Sequence, residues 1–332
     1  MAQFTIYRSS DAGSPVLNGL TGSLITVLDA VLVNGYGTQT AAGWTKPYSA
    51  SGNTSASYKQ GISSSGMYMW VMDTGSVASG REAIYRGFQT MSSANASSGI
   101  NPFPTAVQSA LTANGVAIRK SGTLDSVARR WIAAADSKTL YFFTDTGDST
   151  GYYMGWGFGD ITSFFPNDQY KCMINGRNGE NYFNGINYIN FYYERLQHVN
   201  VAGNNTDGAF ICNYIGGGSI PFGKAVDDVK CNLNNFVCIG NGVLPLPNYP
   251  DGKFYMSPVY VQDVTTSTGA TRGRMRGFWA SCHPLTYFGD GNIISGIGPT
   301  NISVMAIPTM YYSGSLYYGY GTFLIEISNT LD

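Results

Sequence analysis

The stretch Gly22 to Tyr48, GSLITVLDAVLVNGYGTQTAAGWTKPY, holds the one strong amphipathic helix of this chain, and almost everything after it reads as strand and loop. Leu20, Leu24, Ile25, Leu28, Val31 and Leu32 recur at spacings of three and four, which places them on one helical face. Thr21 or Ser23 carries the side-chain oxygen needed to cap the first turn. The Asn34-Gly35 pair supplies the left-handed residue that ends such a helix. Gly37 and Gly43 then bracket a polar turn that runs into Trp44. The segment specifies a fold element and no chemistry.

Around it the composition is that of a β protein. Charged residues are 12% of the 332, about half the usual share of roughly a quarter. Glu82, Glu180, Glu194 and Glu326 are the only glutamates. In place of helix formers come 42 glycines, 24 tyrosines and 17 phenylalanines, suited to pleated surfaces joined by tight turns. The expected fold is mainly β: antiparallel sheets in a sandwich or barrel-like arrangement, with one N-terminal helix and long loops. Candidate strands fall at Phe4 to Tyr7, Tyr58 to Gln60, Met67 to Met72, Ala83 to Thr90, Gly115 to Lys120, Arg130 to Ala135, Leu140 to Thr144 and Tyr152 to Asp160. Ile161 to Pro166 reads as a continuation of the last of these. Strands resume at Phe254 to Gln262, Arg274 to Ser281, Ser303 to Ile307 and Tyr317 to Ile327. A second short helix is expected at Thr105 to Ala113, after Pro102 and Pro104. Without an internal repeat or a low-complexity linker, residues 1–332 read as a single β-rich unit. It opens with a strand-helix segment, 1–48, and carries a loop-rich elaboration at about 178–250.

The net charge of −1, with no block of lysine or arginine, gives no electrostatic footprint for nucleic acid. Arg272, Arg274 and Arg276 alternate. On a strand they share a face, either to meet a phosphate, a glycan or a carboxylate, or as a solvated edge that discourages aggregation. No apolar run reaches the roughly 20 residues that span a bilayer, and MAQFTIYRSSDAGSP is not a secretory signal. Low charge with many aromatics leaves two readings of the surface: coverage by copies or partners, or a well-packed monomer with a Ser/Asn/Thr exterior.

Catalytic signals are weak. His198 and His283 lack companions at metal-ligand spacing. Cys282 and His283 are adjacent, so on a strand they point to opposite faces. Cys172, Cys212, Cys231, Cys238 and Cys282 form neither a CxxC pattern nor an even framework, and read as reduced core thiols. Asp160 and Asp168 flank an aromatic-rich turn and are the conceivable carboxylate pair of a glycosidase; near turns, aspartate serves first in backbone hydrogen bonding. GWGFGD lacks the spacing of a dinucleotide fingerprint. The aromatic and amide-rich region Tyr182 to Tyr193 is either a binding surface or an ordinary structured loop.

Gly35-Tyr36-Gly37 and Ala41 to Thr45 resemble the N-terminal signature of a family of uncharacterised tailed-bacteriophage virion structural proteins. The likeness continues through Tyr85-Arg86-Gly87-Phe88, Arg119-Lys120-Ser121, Arg130-Trp131, Gly157-Phe158-Gly159-Asp160, Cys172-Met173-Ile174 and Gly176-Arg177. It closes with Gly273-Arg274, Gly277-Phe278-Trp279 and Leu324 to Thr330. The resemblance implies a non-enzymatic structural component of the virion, a surface accessory or decoration protein of the capsid. The alternative it leaves open is a tail or baseplate attachment protein that binds a receptor or host surface glycan. Expected partners are major capsid or tail proteins and further copies of the chain, without nucleic acid, membrane, cofactor, metal or catalytic residue. The expected place is the virion, after synthesis in the bacterial cytoplasm.

Overall fold

The computed structural model describes residues 4–74, 82–104, 115–147, 153–178, 206–212, 229–231, 256–263, 270–281, 291–297, 302–308, 311–313, 316–318 and 322–327. Chain order begins with β1 (Thr5–Arg8), α1 (Ser23–Leu28) and a π-helical turn (Asp29–Asn34). It continues with β2 (Thr45–Ser49), β3 (Ser55–Lys59), β4 (Tyr68–Met72), β5 (Glu82–Thr90), β6 (Ile100–Phe103) and β7 (Val116–Arg119). Then come β8 (Arg130–Ala135), β9 (Thr139–Asp145), β10 (Met154–Asp160), β11 (Thr162–Ser163), β12 (Cys172–Asn178), β13 (Thr206–Ile211) and β14 (Val229–Cys231). The last group is β15 (Met256–Asp263), β16 (Ala270–Ser281), β17 (Ile293–Ile297), β18 (Ile302–Pro308), β19 (Tyr311–Ser313), β20 (Leu316–Tyr318) and β21 (Thr322–Glu326). The expected second helix at Thr105 to Ala113 lies outside the described residues, as do Tyr182 to Tyr193.

The fold is mainly β, as the composition predicts. The first sheet runs β1-β8-β9-β10-β12-β7-β5-β4-β3-β2, with β13 on β12 and β6 on β5; the second runs β14-β15-β16-β21-β18-β17, with β11 on β16. All registered pairs are antiparallel, and β19 with β20 forms a separate hairpin. Local chemistry fixes the joins. At the β8–β9 turn the Asp136 carboxylate accepts the N–H groups of Lys138 and Thr139 at 2.9 and 2.8 Å, so the Ser137-Lys138 pair reverses the chain in two residues.

On one face of the first sheet Trp131, Phe142 and Trp156 stack in turn, with ring centroids 5.9 and 5.2 Å apart. Phe158 sits between Trp44 and Phe103. The opposite face presents Tyr141 to Phe4 and Phe278, at 5.5 and 5.1 Å, so the second sheet packs there. One contiguous core joins the helix, the first sheet and the inner residues of the second.

The helix buries Leu24, Ile25, Leu28, Val31 and Leu32 as the periodicity predicts, whereas Leu20 lies before the first turn and is 43% exposed. Its cap differs from the expectation too. Gly22 occupies the cap position, Ser23 Oγ donates to the Asn18 carbonyl, and neither Thr21 nor Ser23 caps the turn. The Leu24 N–H is instead taken by the carboxylate of Asp73, just beyond β4, at 2.9 Å. Asp73 is in turn ion-paired to Lys120, both side chains being fully buried. Burial pushes the Asp73 carboxyl up and the Lys120 ammonium down, against their mutual attraction. The far end stops at Gly35, with φ +74°, as the Asn34-Gly35 reading requires. Among the described residues no helix is long and apolar enough to cross a membrane.

Candidate functional site

The seam between the two sheets is where the charges gather. Strand β10 ends at Asp160, and the chain then leaves the first sheet. Ile161 N–H bonds back to the Lys171 carbonyl, while Thr162 and Ser163 form β11 against Arg274 and Gly273 of the second sheet. Ile161 to Pro166 therefore does not continue β10, contrary to the alternation read in the sequence. Gly159 permits the departure: its φ is +144°, and a β-carbon there would stand 2.4 Å from the Lys138 carbonyl oxygen.

Asp160 and Asp168, the conceivable catalytic pair, are both brought to this seam and both are engaged. The buried Asp160 carboxylate accepts from Gln60 Nε2 at 3.0 Å, from Ser65 N–H at 2.9 Å and from the Ser65 hydroxyl, with Lys171 Nζ 4.0 Å away. It thereby ties the 61–66 turn to the end of β10. Asp168 receives a two-pronged ion pair from Arg272, at 2.9 and 2.7 Å, together with the Ser163 hydroxyl and the Tyr170 N–H. Burial alone would raise the Asp168 carboxyl; the Arg272 guanidinium and the two further donors outweigh it and hold the carboxyl below its ordinary value.

The arginine cluster is not a solvated edge. Strand β16 is central, flanked by β15 on one side and by β11 and β21 on the other. Arg272 is fully buried on Asp168, and Arg276 is nearly so, forked onto Asp136 at 3.0 and 2.7 Å and bonded to the Thr139 hydroxyl. Arg274 lies over the Trp279 ring at 5.5 Å. Two of the three thus meet carboxylates of their own chain and lock one sheet to the other. Planar guanidinium forks suit that role better than lysine.

Above this frame a cleft of about 400 Å³ opens between Asp160, Thr162, Phe165, Asn167, Lys171 and Arg276. Phe165 on its lip is 37% exposed; its neighbour Phe164, 52% exposed, lies 6.3 Å from the Tyr260 ring. Phe165, Asn167 and Lys171 were not singled out from the sequence. The available signal was Phe164-Phe165-Pro166-Asn167-Asp168, two large rings directly before a turn sequence, where the chain must surface.

Two of the five thiols are placed in the core, as expected. Cys172 and Cys212 are buried and unbridged, and burial raises both, Cys212 to about 12. Cys231 lies in β14; Cys238, Cys282, His198 and His283 lie outside the described residues. Among the described residues no group of three or more His, Cys, Asp or Glu is placed to hold a metal ion. In comparisons with known proteins, no family model and no curated sequence matches this chain.

Proposed function

We propose that this chain is a non-enzymatic structural component of a tailed-phage virion, acting as a surface accessory protein of the capsid. The observation that carries the reading is a set of exposed apolar side chains whose neighbouring charges are paired. Val16, Leu20, Leu124 and Val127 are 43 to 58% exposed. They lie on two adjoining segments, joined where Leu17 bridges Arg129 and the Gly19 N–H meets the Asp125 carbonyl. The neighbouring charges are already matched, Arg129 with Asp125 and Arg130 with Asp145. Such a surface docks on a neutral partner without the cost of stripping water from an unpaired charge. The seam points the same way, because its carboxylates serve as fasteners between sheets. The resemblance to virion structural proteins supplies the particle.

Cryo-electron microscopy of purified particles tests this by locating the chain. Density on the capsid lattice is the expected result, with Leu124→Glu and Val127→Glu reducing incorporation. Particles lacking the chain should lose resistance to heat and osmotic shock. Equal resistance with and without it would rule out stabilising decoration. A second reading, tail or baseplate attachment with receptor binding, is favoured by the aromatic lip of the cleft; density at the tail tip would put it first.

A further inference from the structure

The cleft between the sheets combines a hydrogen-bonded floor with a polar rim. Its floor is saturated, since Asp160 and Asp168 already accept hydrogen bonds on both oxygens. Its rim carries the Thr162 hydroxyl and the exposed Asn167 amide, whose hydrogen-bonding capacity no neighbour among the described residues takes up, and the Lys171 ammonium, whose nearest carboxylate stands 4.0 Å away. The main chain of the lip is anchored: Phe164 N–H bonds to the Arg272 carbonyl at 2.8 Å and Phe165 N–H to Ser163 Oγ at 3.2 Å. The exposed Phe165 ring presents an apolar face at the edge of the cleft.

The charges around the cleft decide the ligand class. Asp160 faces Lys171, Asp168 holds Arg272 and Asp136 holds Arg276, three carboxylates against three cations. A net-neutral site has neither the cation excess that a phosphate chain requires nor a surplus carboxylate for an amine. Its volume of about 400 Å³ is within the roughly 300–1,000 Å³ of small-ligand sites. A flat ring beside an amide, a hydroxyl and an ammonium matches a ligand with one apolar face and a rim of hydroxyl groups.

We propose that this cleft binds a neutral sugar ring of a glycan. Phe165 stacks on the C–H face of the sugar, and Thr162, Asn167 and Lys171 bond its hydroxyls. The inference stands on the cleft alone and holds whether the chain sits on a capsid or at a tail.

The test is saturation-transfer difference NMR and titration of the full purified chain with maltose, lactose, cellobiose and chitobiose, with digalacturonic acid as the anionic comparison. At least one neutral disaccharide should bind in the millimolar range. Phe165→Ala should weaken it about five- to tenfold. Asn167→Gly, which suits the residue's φ of +60°, should also weaken it while leaving the melting temperature unchanged. Ile62→Ser, at a position 86% exposed and outside the cleft lining, should leave binding intact. The proposal is overturned if no neutral disaccharide binds, if only the anionic one does, or if binding survives both cleft substitutions in folded protein. Because the assay uses isolated chain, its failure leaves the virion assignment standing, and the reverse also holds.

Discussion

Replacing Arg272 by methionine removes the charge that holds Asp168 and leaves the carboxylate in place. Arg272 is fully buried and Asp168 almost so, and their paired bonds of 2.7 and 2.9 Å fasten the 161–171 segment to β16. Removing one partner of a buried pair typically costs about 3–5 kcal/mol, because the other charge is stranded. At a urea dependence of about 3 kcal/mol/M this lowers the unfolding midpoint by about 1–1.7 M. The pH dependence separates this cause from simple loss of packing. In the native chain the Asp168 carboxyl lies below its ordinary 3.8, so its contribution is present above that value and is lost as pH falls through the folded pKa. Without Arg272, burial dominates and raises the carboxyl above its unfolded value, so the penalty at neutral pH is relieved as the pH falls. The stability gap between the two proteins should therefore be widest near pH 7 and narrow towards pH 3.5. Urea unfolding followed by tryptophan fluorescence at several pH values measures it. A cost below about 1 kcal/mol at pH 7, or a gap indifferent to pH, would refute the stranded-charge argument.

Other perturbations test other joints. Gly159→Ala forces a β-carbon to within 2.4 Å of the Lys138 carbonyl oxygen at φ +144°; it should cost about 2–4 kcal/mol in the same urea assay, and a cost near zero would mean the β9–β10 edge yields freely. Lys120→Met strands Asp73 beneath the helix, so a loss of about 3–5 kcal/mol is expected, with faster amide exchange across residues 23–32 than across β8. Uniform exchange would show that the ion pair does not hold the helix in particular. Cys172 and Cys212 should resist alkylation at pH 8 in native protein and react after unfolding, as mass spectrometry of labelled peptides will show; rapid native labelling at either would contradict their burial.

What the sequence revealed follows the range of the interactions involved. The apolar stripe from Leu24 to Leu32 was legible because a helix repeats its environment every three or four residues, and the break between the Arg130 to Ala135 and Leu140 to Thr144 strands because Asp136 bonds to its immediate neighbours. The helix cap was not legible, since its acceptor, Asp73, lies 49 residues beyond Leu24. The alternation of Arg272, Arg274 and Arg276 showed a strand but not its company. Whether an arginine meets water or a carboxylate depends on which loop crosses between sheets, and Ile161 to Ser163 read as more of β10 until its pairing with β16 was seen. The cleft needs that crossing to exist, so its residues could be noticed in the sequence only as a pair of rings before a turn.

Several of the residues on which the proposed likeness to phage virion proteins rests make structural contacts within the chain. Tyr36 of the Gly-Tyr-Gly signature donates to Asp11 at 2.9 Å and packs edge-on to Trp131. Trp44 of Ala-Ala-Gly-Trp-Thr donates to the Asp136 carbonyl at 2.7 Å, on the residue whose carboxylate Arg276 grips. Gly159 and Asp160 set the exit of β10, and Gly87 lies under the Phe103 ring. These residues fix the way helix, first sheet and second sheet meet. None of them is Phe165, Asn167 or Lys171. Nor do those motifs include Asp136, Asp168, Arg272 or Arg276, which with Asp160 and Lys171 make up the charge balance of the seam. The 161–171 segment thus carries both a fastener of the two sheets, Asp168, and the groups at the mouth of the cleft, so the geometry of the cleft depends on the same crossing that joins the sheets.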